Sequence, residues 1–141
     1  MKEQTIGYCY VVGDILHKGH LLHLKNCKSL CDFLICGVLS DKACMEKKPE
    51  PIMPLDERLE LVASLKMIDM AVCQEEYSPL ANCKALKPDI LFESISHKEM
   101  PANNYMNSIN GKVVVMPYFS GQSSSSIKRK IKESTKNEKN N

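Results

Sequence analysis

A chain of 141 residues with 43% hydrophobic content has room for one compact domain with a real core. Its formal charge of +2 is near balance, and much of the basic excess lies in the last fifteen residues, so no field built to grip nucleic acid is evident. No apolar run approaches the roughly 18–20 residues that a membrane helix needs, and Met1-Lys2-Glu3-Gln4 leads straight into a strand-like segment, so a cytoplasmic protein with no membrane partner is expected.

In chain order, Ile6-Gly7-Tyr8-Cys9-Tyr10-Val11-Val12 is a continuous β-prone apolar run, which suits a strand covered on both faces in a parallel sheet. It ends at Gly13-Asp14. Beyond the segment His17-Lys18-Gly19-His20, residues Leu21, Leu24, Cys27 and Cys31 recur at helical spacing and predict an amphipathic helix over about residues 19–31. Phe33-Leu34-Ile35-Cys36-Gly37-Val38-Leu39 has strand length, and strand-helix-strand in so short a span implies a right-handed crossover and a parallel pair.

Residues 40–54 hold Lys42, Lys47, Lys48 and three prolines, and read as a functional loop. Pro54 opens a helix whose apolar face is Leu55, Leu59, Val62 and Leu65, with Asp56 and Glu57 at the favourable end of its dipole. A short strand around Met70-Ala71-Val72 follows, then a helix from Pro79-Leu80 to Leu86, a turn at Pro88-Asp89 and a fourth strand at Ile90-Leu91-Phe92. After a polar, Asn-rich stretch, Lys112-Val113-Val114-Val115-Met116 makes a fifth strand and residues 125–132 a basic helix. Five strands interleaved with helices predict a single-domain, doubly wound, Rossmann-like α/β fold over residues 1–132, with helices on both faces of a parallel sheet. Residues 133–141 are polar and are expected to form a disordered tail.

The seven cysteines form no Cys-x-x-Cys pair and mostly sit in apolar segments, so they read as buried, reduced thiols with neither a zinc site nor a disulfide framework. No metal ligand is assigned to the protein.

The strongest chemical signal is Gly13-Asp14-Ile15-Leu16-His17-Lys18-Gly19-His20 at the passage from the first strand to the first helix. Two histidines three apart at a helix start can point toward one ligand, Gly19 lets a phosphate approach the backbone, and the helix N-terminus adds positive potential. Near the other end, Gly121-Gln122-Ser123-Ser124-Ser125-Ser126 opening a helix reads as a second phosphate cradle of backbone N–H groups and hydroxyls.

These segments resemble the His-x-Gly-His signature and the Gly-Ile-Ser-Thr-Thr-like motif of the cytidylyltransferase-like nucleotidyltransferases, with the glycerol-3-phosphate cytidylyltransferases closest in pattern. The resemblance covers roughly residues 6–132 and includes Glu57-Arg58 and Met67-Ile68-Asp69. It implies transfer of CMP from CTP to a small phosphate or phosphonate monoester with release of pyrophosphate. His17 and His20 would stabilise the α-phosphate, with Lys47 or Lys48 neutralising charge. Val12, Gly13, Asp14, Gly19, Arg58, Gly121, Gln122, Ser123, Ser124, Ser125 and Lys128 would complete the nucleotide site, and Lys42, Glu93, Ser94 and His97 would stand near the acceptor. Magnesium would be held by the nucleotide phosphates, and a homodimer is implied as well.

Three departures fall in the flanks. Val11-Val12-Gly13-Asp14 stands where the family has Gly-Thr-Phe-Asp, Tyr118-Phe119-Ser120 where it has an arginine, and Glu93-Ser94-Ile95 where it has a Gly-Asp-Asp-like segment. No tryptophan exists to box a quaternary ammonium, which disfavours choline phosphate. An ATP-using adenylyltransferase of the same superfamily and a catalytically idle nucleotide-binding module stay open as alternatives.

Overall fold

The computed structural model describes residues 3–94, 101–117 and 124–140. In chain order the elements are β1 (Ile6–Val11), α1 (Lys18–Ser29), β2 (Phe33–Leu39), α2 (Asp41–Met45), α3 (Leu55–Ala63), β3 (Met70–Gln74), α4 (Leu80–Leu86), β4 (Ile90–Ser94), α5 (Pro101–Ser108), β5 (Lys112–Met116) and α6 (Ser124–Asn140). The five strands form one sheet in the order β3-β2-β1-β4-β5, and every neighbouring pair is parallel. The predicted Rossmann-like α/β architecture is therefore the observed one.

Strand periodicity sorts the core into two layers. Cys9, Leu34, Cys36, Val38, Ile90 and Phe92 face one side, where Leu24 and Cys27 of α1 and Val62 of α3 cover them. Tyr8, Ile35 and Leu91 face the other, under Cys83 of α4 and Ala102 and Met106 of α5. Successive strand residues point to opposite faces, so a run apolar at every position needs helices on both sides. At Gly37 in β2 a side chain would collide with the Tyr8 hydroxyl, which crosses there to donate to Gln74 Oε1 at 2.5 Å.

Three helical boundaries differ from the sequence expectation. The loop of residues 40–54 contains α2, a short helix whose Ser40 Oγ accepts the Ala43 N–H at 3.1 Å. The Asn-rich stretch contains α5, which starts at a proline and buries Ala102, Asn103 and Met106; that burial outweighs the poor helix propensity of asparagine. The last helix does not stop at residue 132 but continues to Asn140. Good helix formers such as Glu133 and Lys136 carry it on, with Arg129 and Glu133 at helical i,i+4 spacing. All seven cysteines are free, and among the described residues no helix is long and apolar enough to cross a membrane.

The topology also opens a crevice. β1 and β2 share six register pairs, whereas β1 and β4 share two, Gly7 with Ile90 and Tyr8 with Leu91. Beyond that point their carboxyl ends are not paired through the backbone. This is where connections from the two halves of the sheet depart in opposite directions, the usual ligand position in such folds.

Candidate functional site

The carboxyl end of β1 feeds a turn that aims α1 at this crevice. Gly13 takes φ +76°, the left-handed region that favours glycine, and a Cβ there would also press on Val62 Cγ2 at 3.3 Å. Ile15 follows with φ +54°, a strained conformation for a β-branched residue. His17 is the N-cap of α1 and His20 its third helical residue. The two rings complete a reciprocal capping box. His17 Nδ1 accepts the Gly19 N–H at 3.0 Å, and His20 Nδ1 accepts the His17 N–H at 3.2 Å.

That reciprocity sets the chemistry. An imidazole that accepts at Nδ1 carries its proton on Nε2, so both rings are neutral Nε2–H donors. Burial lowers the His17 pKa, and burial together with the charges of His17, His23 and Lys48 depresses that of His20 to about 4. The ring centroids stand 4.2 Å apart. Two donors side by side at a helix N-terminus suit an anion with several acceptor oxygens. Gly19 has its amide N–H engaged by the His17 ring, so its role in this arrangement is to set the cap.

Two other charges of the predicted site turn inward. Arg58, expected beside the nucleotide, is fully buried. Its Nη1 donates to the carbonyls of Val12 and Leu39 at 2.7 and 2.6 Å, its Nε to that of Met53 at 2.9 Å, and its Nη2 to Asp41 at 2.5 Å. It ties the ends of β1 and β2 to the loop before α3 from beneath, and the same bonds engage the Val12 carbonyl. Asp14 is buried as well, and accepts from the amides of Ile52 and Met53 at 2.9 and 3.0 Å and from Lys128 Nζ at 2.6 Å. Burial pushes its pKa up, but Lys128 and the two amides outweigh it and hold the carboxyl below the usual range.

The start of α6 is brought to the histidine turn, although 110 positions separate the two residues that meet: Ser124 Oγ donates to the Asp14 carbonyl at 2.6 Å. A longer bond of 3.2 Å reaches the Ile15 carbonyl. Ser125, next along α6, is exposed. Gly121, Gln122 and Ser123 lie outside the described residues, as does His97.

Lys47 and Lys48 are exposed on the segment after α2, and Lys42 is exposed on α2 itself. Of these lysines, Lys48 is the one whose charge bears on the His20 ring. Of the residues expected near an acceptor, Ser94 ends β4 and is half-buried. Glu93 is buried, accepts the Tyr10 hydroxyl proton at 2.7 Å, and has its pKa pushed up to about 7 by burial, against that hydrogen bond. Tyr10, Asp41 and the peptide of Ile52-Met53 are site neighbours that the sequence did not single out. No local pattern marks them, because each enters through a partner at least 17 positions away.

No group of three or more His, Cys, Asp or Glu side chains placed to hold a metal ion occurs among the described residues.

Comparison with known proteins fits this geometry. The Bifunctional protein HldE of Helicobacter pylori strain P12 is 35% identical over 136 residues, 94% of this chain but 29% of that protein. The FAD synthase of Methanothrix thermoacetophila is 44% identical over 78 residues, 55% of this chain and 54% of that one. The chain thus spans under a third of the HldE protein it matches. Among solved structures, a lipopolysaccharide core biosynthesis protein from Thermoplasma volcanium superposes with a TM-score of 0.72 at 27% identity, covering 85% of this chain and 100% of that one. The Cytidylyltransferase-like family model matches residues 12–130, from the end of β1 into α6. This chain belongs to the cytidylyltransferase-like family of nucleotidyltransferases.

Proposed function

We propose that this chain transfers a nucleoside monophosphate from a nucleoside triphosphate to a small phosphate or phosphonate monoester, and that the nucleotide is ATP. The observation that carries the transfer is the pair of neutral imidazoles at the start of α1, each holding its Nε2–H as a donor because its Nδ1 is engaged by backbone. In the reaction an acceptor oxygen attacks the α-phosphorus, the bond from that phosphorus to the bridging oxygen breaks, and pyrophosphate leaves. Negative charge gathers on the α-phosphate oxygens, where fixed donors stabilise it without reorganising. His17 and His20 supply those donors. The nearness of Lys48 to His20 supports Lys48, ahead of Lys47, as the cation on the phosphate chain. Gly121, Gln122 and Ser123 belong to the same reading through the motif alone.

The choice of base departs from the CTP suggested by motif resemblance. FAD carries an adenylyl group, so the likeness to an FAD synthase supports ATP as donor. The likeness to a lipopolysaccharide core biosynthesis protein supports an acceptor bound for a cell-surface polymer, phosphorylated sugars first. Magnesium fits this site as a partner of the triphosphate, since Asp14 already accepts two amides and an ammonium; when bound it would neutralise β- and γ-phosphate charge. Family resemblance supports a homodimer.

The test is a pyrophosphate-release screen pairing each nucleoside triphosphate, with magnesium, against phosphorylated sugars, glycerol 3-phosphate and phosphonates. Release with ATP and one acceptor supports the proposal, and release with CTP alone returns the cytidylyl reading. Silence with every pair despite nucleotide binding would mark an idle binding module.

A further inference from the structure

Asp14 stands three residues ahead of His17, and its hydrogen bonds go to neither neighbour in sequence. Its two oxygens take the consecutive amides of Ile52 and Met53, 38 and 39 positions away, and the ammonium of Lys128, 114 positions away. Its own carbonyl takes the Ser124 hydroxyl. One residue thus fastens two segments to the histidine turn: the stretch running from Lys48 to α3, and the first turns of α6. The carboxylate side chain is 4% exposed, where charge-assisted bonds resist exchange with water, whereas the Lys128 side chain is 29% exposed.

We infer that Asp14 is a positioning residue for nucleotidyl transfer, fastening the Lys48 segment and the Lys128-bearing helix to the histidine turn without touching nucleotide or metal. The inference rests on the transfer reading above and goes beyond it by taking Asp14 out of the ligand set. An ammonium carries three donors, so Lys128 can meet a phosphate oxygen while Asp14 still orients it. Without the carboxylate, the histidines remain where their own capping box puts them, but the cations opposite lose their register. Transfer depends on that register to within about 1 Å, whereas ground-state binding tolerates looser contacts.

The test is Asp14→Asn in the full chain, which keeps size, removes the charge and leaves a single acceptor oxygen. Three quantities are read. Hydrogen exchange at the Ile52 and Met53 amides in nucleotide-free protein should speed up about tenfold or more. Single-turnover pyrophosphate release should fall about thirtyfold or more. Affinity for ATP, with and without magnesium, should stay within about threefold, since the lost negative charge does not favour release of a triphosphate. A metal ligand would behave otherwise, with ATP binding weakened only when magnesium is present, and that result overturns the inference. So does a variant with wild-type turnover. If the asparagine variant does not fold, Asp14→Glu keeps the charge and displaces the carboxylate by one methylene; reduced turnover at unchanged ATP affinity is expected there, and full turnover overturns. Failure of the transfer reading shows differently, as silence of the wild-type protein with every nucleotide and acceptor.

Discussion

His17 and His20 cap one helix through each other: the His17 ring holds the Gly19 amide, and the His20 ring holds the His17 amide. Capping and tautomer are therefore joined in the same two rings, because the bond that stabilises the start of α1 also dictates which ring nitrogen keeps its proton.

That tautomer predicts the response to acid. His20 is depressed from its ordinary 6.5 to about 4, with burial as the main cause. A base whose folded pKa lies below its unfolded value contributes stability that is complete above pH 6.5 and is lost as pH falls through 4. Nitrogen-15 spectra should show the His20 ring neutral, with its proton on Nε2, at pH 5.5. A titration midpoint near 6.5 would contradict the buried, capped ring.

Replacing either ring tests its capping and the proposed transfer separately. His17→Ala should weaken α1 by about 1 kcal/mol in urea unfolding through loss of the cap. Each of His17→Ala and His20→Ala should lower single-turnover release by about 100-fold or more, the usual scale for one lost transition-state donor. A His20→Ala protein that unfolds early but turns over at the wild-type rate would restrict that ring to capping.

Arg58 is expected to matter for folding. Arg58→Met leaves the carbonyls of Val12, Leu39 and Met53 without their donor. At about 1–3 kcal/mol for each buried acceptor left unmade, the loss should exceed about 3 kcal/mol. Arg58→Lys should not rescue it, since one ammonium cannot reproduce a planar fork spread over four acceptors. Denaturant unfolding reads both, and a mild effect in each would place the guanidinium outside the framework.

Glu93 predicts the opposite pH trend from His20. Its carboxyl is raised from 4.5 to about 7 by burial, with the Tyr10 hydroxyl working against the rise. The associated stability is present below pH 4.5 and lost as pH climbs through 7, because the folded protein binds that proton more tightly than the unfolded chain. Glu93→Gln, which can still accept from Tyr10, should gain on wild type between pH 5 and pH 8 in urea midpoint. A difference that does not change with pH would show that Glu93 does not titrate in this range.

Much of the molecule was legible in the chain because the signals are local. Uniformly apolar strand runs announce a sheet covered on both faces, and β1 and β2 lie where those runs stand. The histidine motif announces a helix start because capping is settled within four residues. Local rules failed at α5, where buried Ala102, Asn103 and Met106 hold asparagine-rich sequence in a helix. At α2 a usable sign was present in Ser40 followed by Asp41, a cap and an acidic first turn.

By itself, then, the sequence determined the α/β class, the helix start at the histidine motif and the family to which the chain belongs. Only the tertiary structure decided what each charge does. Arg58 and Asp14 read alike as candidate ligands in a linear chain, yet both are buried against backbone groups that arrive from distant positions. The reason is physical: spacing along the chain sets which face a side chain occupies, but whether its charge meets water, a carbonyl or a ligand depends on burial, and burial exists only once the layers have packed.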